Sequence, residues 1–218
     1  MKLRVNSIIR TLVASDFFFL FSLGLITPIF ALFVVANIAH ATIQVVGYAT
    51  AAYWVARVLS VMFVTRFLDM TPGNRDEYYS LVGGTFVVAL LPLFLMFASE
   101  PWHVYAIQAV NGLANAFAIP AWRISFTRYV NRKAVGHAWS LDDVSVGAAT
   151  AISGALGATI AANFGFDVLL VVTSIFGFIS TCVLATLYRS RSFMGAEAEE
   201  KTEEPLIPSA PFKVDGVK

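Results

Sequence analysis

Five stretches of this chain contain no Asp, Glu, Lys or Arg: residues 17–56, 78–99, 101–122, 144–166 and 168–188. A helix that crosses a bilayer needs roughly 20 largely apolar residues, rising about 1.5 Å each. The first stretch has room for two such helices, parted by the polar residues Asn37, His40, Thr42 and Gln44. The spacing therefore predicts six spans, near residues 12–36, 45–65, 79–98, 103–122, 144–163 and 168–188. The chain is 58% hydrophobic and 13% charged, against about 45–50% and about 25% for soluble domains. Such a composition leaves no amphipathic outer layer to face water. The spans also exceed the roughly 9–11 residues of a membrane β-strand, which argues against an outer-membrane barrel. An enzyme, a nucleic-acid binder and a disordered adaptor are all poor readings of residues 1–188. The expected fold is an all-α membrane protein.

Residues 11–30 follow Lys2, Arg4 and Arg10 and resemble a signal-peptide core. No small-x-small cleavage site follows and further spans come next, so this stretch is read as the first crossing. Lys and Arg then set the orientation. The N-terminal tail, the second connection (Arg66, Arg75), the fourth (Arg123, Arg128, Arg132, Lys133) and the segment with Arg189 and Arg191 are basic, whereas the first, third and fifth connections hold no Lys or Arg. The positive-inside rule expects both termini in the cytoplasm of a multi-pass cell-membrane protein. The tail 191–218 is Glu-rich and interrupted by Pro205, Pro208 and Pro211, and is expected to be a flexible cytoplasmic segment. His40, His103 and His137 lie in or near three different connections and form no expected metal cluster. No nucleotide-binding glycine loop or hydrolytic triad is present, so neither a cofactor nor an enzymatic activity is expected.

Polar residues inside the spans are the candidates for function. Arg57 lies about 13 Å along its helix from Arg66. A charge at that depth needs a polar interior or a partner. Asp16, at a matching depth in the preceding span, is the expected partner, with snorkelling of Arg57 and a direct solute or proton role as alternatives. Gln108, Asn111 and Asn115 recur at intervals of three and four and share one helix face. They either line a solute cavity or join helices through hydrogen bonds. Asp142 and Asp143 suit a first helical turn. After them, Gly147, Ser153, Gly154 and Gly157 belong to a small-residue surface suited to close helix contact. Pro28 and Pro120 can bend their helices. Helix 1 starts inside and helix 4 outside, so helices 1–3 and 4–6 are expected to be inverted relative to one another, which is consistent with a 3+3 inverted repeat.

Taken together, these features resemble the N-terminal six-helix half of a major facilitator superfamily transporter over residues 8–190. Asp16 and the stretch 24–28, Gly-Leu-Ile-Thr-Pro, resemble the family's first helix. Residues 65–75, Thr-Arg-Phe-Leu-Asp-Met-Thr-Pro-Gly-Asn-Arg, resemble its loop signature Gly-x-x-x-Asp-Arg-x-Gly-Arg. Asp69 matches the aspartate, and Gly73 and Arg75 match the later glycine and arginine if residues are inserted. Thr65 and Met70 depart from the pattern. Gln108 stands four residues before Gly112, where many members carry an arginine, and the fifth helix lacks the proline of the antiporter branch.

The resemblance implies a secondary transporter that works by alternating access, with Asp69, Gly73 and Arg75 in a conformational latch. Arg57, Gln108, Asn111, Asn115 and Asp16 are the implied substrate-path candidates, with Asn37, Tyr48 and Tyr53 weaker. The expected partners are the lipid bilayer, a small solute and a second half, supplied by a homodimer or a complementary chain. The chain is about half the family's length, so a fragment or split gene, a natural half-transporter and a non-transporting scaffold or binding partner all remain. The starting Met and polar tail slightly favour a natural short protein.

Overall fold

The computed structural model describes residues 6–70, 74–131, 134–189 and 193. Every long element is helical: α1 (Ser7–Ile26), α2 (Phe30–Asn37), α3 (Ile43–Met70), α4 (Arg75–Leu95), α5 (Pro101–Tyr129) and α6 (Val135–Ala185). In hydrocarbon a backbone must satisfy its own polar groups, and helices do so within one segment. The Asn6 side chain caps α1 by accepting from the Ile8 amide. Pro28 lies in the 3-10 turn Thr27–Ile29 that separates α1 from α2, so this proline ends one helix and begins the next. Pro92 and Pro120 lie inside α4 and α5 without breaking them. Pro101 starts α5, where its missing N–H is no loss. His103 Nδ1 accepts from the Ser99 and Glu100 amides at 3.3 and 3.1 Å.

Among the described residues, four segments are long and apolar enough to cross a membrane: Ser7–Asn37, Ile43–Met70, Arg75–Leu95 and Val135–Arg189. This differs from the six expected spans for two reasons. Gln108, Asn111 and Asn115 lower the hydropathy of α5. The 51 residues of α6, about 76 Å if straight, join two of the expected spans in one element. That helix is interrupted at Gly165, whose φ of 85° and ψ of 171° are not helical. Glycine is the residue that tolerates such a backbone.

The two arms of α6 lie against α1 in opposite senses. Along the first arm, Ser153 meets Gly24 and Gly157 meets Leu25, so residue numbers rise together. Along the second, Ser22 Oγ donates to the Thr173 carbonyl and Ser180 Oγ to the Ser15 carbonyl, both at 2.7 Å, so they run oppositely. The other contacts pair α3 with α5, α4 with α5, and α4 with α6. One end of the bundle gathers three connections: the Ala39 amide donates to the Ser99 carbonyl at 2.9 Å, and Phe33 meets Phe166 beside Gly165 at 5.5 Å. At the other end the start of α4 meets the end of α5, and Tyr78 OH donates to the Ala185 carbonyl at 3.5 Å. Two apolar clusters fill the interior, one toward each end.

The small-residue surface divides in two. Ser153 and Gly157 are buried against α1, and a Cβ on Gly157 would run into the Leu25 carbonyl. Gly147 and Gly154 face open space, so their expected part in helix contact within this chain is corrected. At 3.6 residues per turn, Ser153 and Gly157 lie about 40° apart on one edge of this stripe and Gly147 and Gly154 about 20° apart on the other, and α1 covers the first edge. Asp142 and Asp143 also depart from expectation. The helix begins at Val135, which puts them about two turns inside it. Gly157→Ala should lower the midpoint of thermal unfolding in detergent by the equivalent of about 1–3 kcal/mol, because the backbone contact is overpacked. Gly154→Ala, with nothing to strike, should stay within about 1 kcal/mol of the parent.

Candidate functional site

The amides of α5 form a directional ladder. Asn115 Nδ2 donates to Asn111 Oδ1 at 2.8 Å and to the Asn111 carbonyl at 3.0 Å, and Asn111 Nδ2 donates to Gln108 Oε1 at 3.0 Å. These bonds run along one helix, not between helices. Asn115 is buried, whereas Gln108 and Asn111 are half-buried and line a cavity of about 350 Å³. Ser22, Thr27, Thr50 and Thr173 share its wall with apolar residues of α1, α2, α3 and α4. The Oγ1 protons of Thr27, Thr50 and Thr173 go to carbonyls four residues back, leaving hydroxyl oxygens as acceptors. Gln108 Nε2, by contrast, has no protein acceptor among the described residues. The cavity therefore offers neutral donors and acceptors in an apolar wall, as small-solute sites do.

Arg57 and Asp16 do not meet. Arg57 Nη1 donates to Tyr53 OH at 3.1 Å, and its guanidinium lies 5.1 Å from the Trp54 ring and 6.0 Å from that of Tyr53. The charge is thus supported by aromatic faces one turn back on its own helix. The expected Asp16–Arg57 pair is corrected, and topology gives the reason. Helix α1 packs on α6 and α3 packs on α5, so α1 and α3 turn to different neighbours. Gly112 lets α5 approach α3 closely, since a Cβ there would strike the Tyr53 carbonyl. Asp16 instead lines a second cavity with Trp122, Arg123, Trp139 and Asp142. Arg57 lines neither cavity.

Near the junction of α3 and α4, Gly73 lies outside the described residues. Asp69 and Arg75 are exposed and make no ion pair among the described residues. The ion pair that does form lies one turn further on. Arg128 Nη2 donates to Glu77 Oε1 at 2.8 Å, with Glu77 almost fully buried and its Oε2 without a partner among the described residues. Arg128 Nη1 also donates to Asn74 Oδ1. Asn74 Nδ2 donates to Tyr129 OH and to the Phe193 carbonyl, and the Phe193 ring stacks on Tyr129 at 5.4 Å. This cluster ties α4, α5 and the segment after α6 together.

The family model described as Major Facilitator Superfamily matches residues 12–215. The chain belongs to the Major Facilitator Superfamily. It is therefore a multi-pass helical membrane protein of a superfamily of transporters, which agrees with the expectation that it is not an enzyme. Among solved structures it is similar to the POT family transporter PepTSo, crystallised in meso, with a TM-score of 0.70 and 14% identity. The likeness covers 84% of this chain and 37% of that one, and at this identity it concerns the fold alone. No curated protein matches the chain.

Seen as a member of the superfamily, the chain differs from the loop-signature expectation in where its charges engage. Glu77 and Arg128 were legible only as charges near helix ends. The opposition of one acidic and one basic residue across two helices depends on a pairing that the sequence does not print. Arg128→Ala would strand the Glu77 carboxylate, and loss of one partner of a buried pair costs up to about 3–5 kcal/mol. Since Arg128 is partly exposed, a loss nearer 2 kcal/mol is expected from unfolding in detergent, with Glu77→Gln milder because it keeps an acceptor. For Asp16 and Arg57, a double-mutant cycle (D16N, R57Q and both) should be additive within about 0.5 kcal/mol, as for unconnected sites.

Proposed function

We propose that this chain is one half of a secondary transporter, which moves a small solute by alternating access and is completed by a second copy or a complementary half. The observation that carries the reading is the amide ladder of α5 opening on the cavity lined by Gln108 and Asn111. An uncharged donor–acceptor stripe suits a polar solute that must be held and then released. Substrate-path roles for Arg57 and Asp16 are less direct, since neither reaches that cavity. The likeness covers 37% of PepTSo, which supports a chain that supplies part of such a fold.

The contact pattern supports six crossings in a 3+3 arrangement. Counting α1–α2 as helix 1, α3 to α5 as helices 2 to 4, and the arms of α6 as helices 5 and 6, the close pairs are 1–5, 1–6, 2–4, 3–4 and 3–6. Exchanging 1 with 4, 2 with 5 and 3 with 6 returns the same set. An inverted repeat requires that behaviour, and binding sites form between such repeats. Arg10, Arg66, Arg75, Arg128 and Arg189 all sit toward one end, and the positive-inside rule assigns that end and both termini to the cytoplasm. Asp69, Gly73 and Arg75 would then sit on the cytoplasmic side as the conformational latch.

Sealed proteoliposomes screened with pooled polar solutes should show saturable uptake. Gln108→Ala and Asn111→Ala should each reduce uptake about tenfold, the equivalent of one lost hydrogen bond to the solute at about 1.4 kcal/mol. The solute should protect a cysteine at Asn111 from a thiol reagent, and the active particle should be larger than one chain in nanodiscs. Stable association with another protein, with neither uptake nor protection, would instead identify a scaffold.

A further inference from the structure

A second cavity, of about 240 Å³, lies inside the bundle between α1, α4, α5 and both arms of α6. Asp16 and Asp142 both line it, and Arg123 contributes one guanidinium. With both carboxyls ionised, two carboxylates and one guanidinium leave one negative charge in excess. Arg123 is exposed and makes no ion pair with either carboxylate. Asp142 is only 8% exposed, and its Oδ1 is buried with no hydrogen-bond partner among the described residues. A buried carboxylate oxygen without a donor is costly and calls for one. Ser15 and Ser180 do not supply it, because their hydroxyl protons go to the Leu12 and Ser15 carbonyls.

The rest of the wall narrows the chemistry. Trp122 and Trp139 stand 6.2 Å apart, each in contact with Phe126, and Leu81, Leu184 and Ile119 add apolar surface. Indole faces attract a desolvated cation. Among the described residues no group of three or more His, Cys, Asp or Glu side chains is placed to hold a metal ion, and the two carboxylates here stand in a largely apolar, aromatic wall, not the oxygen-rich shell that a hard divalent ion wants. A quaternary ammonium brings charge but no N–H for the Asp142 oxygen. We infer that this cavity is a binding site for a primary alkylammonium group, held by Asp16 and Asp142 with its alkyl part against Trp122 and Trp139. It is separate from the amide-lined cavity and does not depend on transport.

The test is a titration of the full chain in phosphatidylcholine nanodiscs with n-butylammonium, read by tryptophan fluorescence and by calorimetry. Saturable binding is expected, with tetramethylammonium and Na⁺ at least tenfold weaker. Asp142→Asn should weaken n-butylammonium at least tenfold, and Arg123→Gln should tighten it several-fold by removing a like charge. The second variant predicts a gain, which misfolding cannot imitate. Repeating the titration with phosphatidylethanolamine in the disc separates two sources of the group. Competition identifies an aminophospholipid headgroup, and its absence a free amine, either of which supports the ammonium site. No saturable binding by correctly folded protein, equal binding of Na⁺, or an Arg123→Gln variant that weakens binding overturns it.

Discussion

The architecture depends on backbone meeting backbone at a few glycines. Within a bilayer, apolar side chains gain little by leaving lipid for protein, so helices associate through close contact and hydrogen bonds between them. Gly157 lies on the Leu25 carbonyl, Gly24 receives Ser153, Gly112 lies on the Tyr53 carbonyl, and Gly84 lies on α5 near Ala114. Each contact joins a different pair of helices or reinforces one already made. Ser22 and Ser180 add hydrogen bonds to carbonyls of the facing helix, fixing the register that close approach alone would leave loose. Without these contacts α1 would not be held between the two arms of α6, and neither cavity would have its walls.

This scaffold sorts the polar groups of the membrane region into three settings with different chemistry. The amide ladder satisfies itself along one helix and presents its free end to a cavity. The Glu77–Arg128 pair, with Asn74 and Tyr129, is spent on tying helices together at one end. Asp16 and Asp142 line a second cavity, where the buried Asp142 Oδ1 has no hydrogen-bond partner among the described residues. The first and third settings present unfilled groups to ligand-sized space, whereas the second is engaged across helices, with Glu77 Oε2 lacking a partner among the described residues. Membership in the Major Facilitator Superfamily gives these settings a common context, one multi-pass helical bundle.

Hydropathy and charge spacing made the all-helical, multi-pass character of the chain legible, because the bilayer imposes length and apolarity on each segment separately. The shared face of Gln108, Asn111 and Asn115 was legible for a related reason: helical periodicity is local. Partnership across helices was not. Arg57 and Asp16 match in depth, yet depth gives no angular position about the bundle axis, and α1 and α3 turn to different neighbours. Asp142 read as a first-turn residue because the start of its helix was placed too late. Two further turns at the N-terminal end of α6 put it within the bundle.

What the sequence by itself determined is therefore the set of membrane-length helices, the distribution of basic residues along them and the polar face of α5. These follow from per-residue transfer energies and a fixed helical period, neither of which needs a neighbour. Only the tertiary structure decided that Arg57 rests on its own helix's aromatics, that Gly157 rather than Gly154 admits α1, and that Asp16 and Asp142 share one cavity. Those outcomes turn on which helix faces which and at what rotation. In a chain with many apolar faces, that choice is made by the sum of all close contacts, not by any one segment.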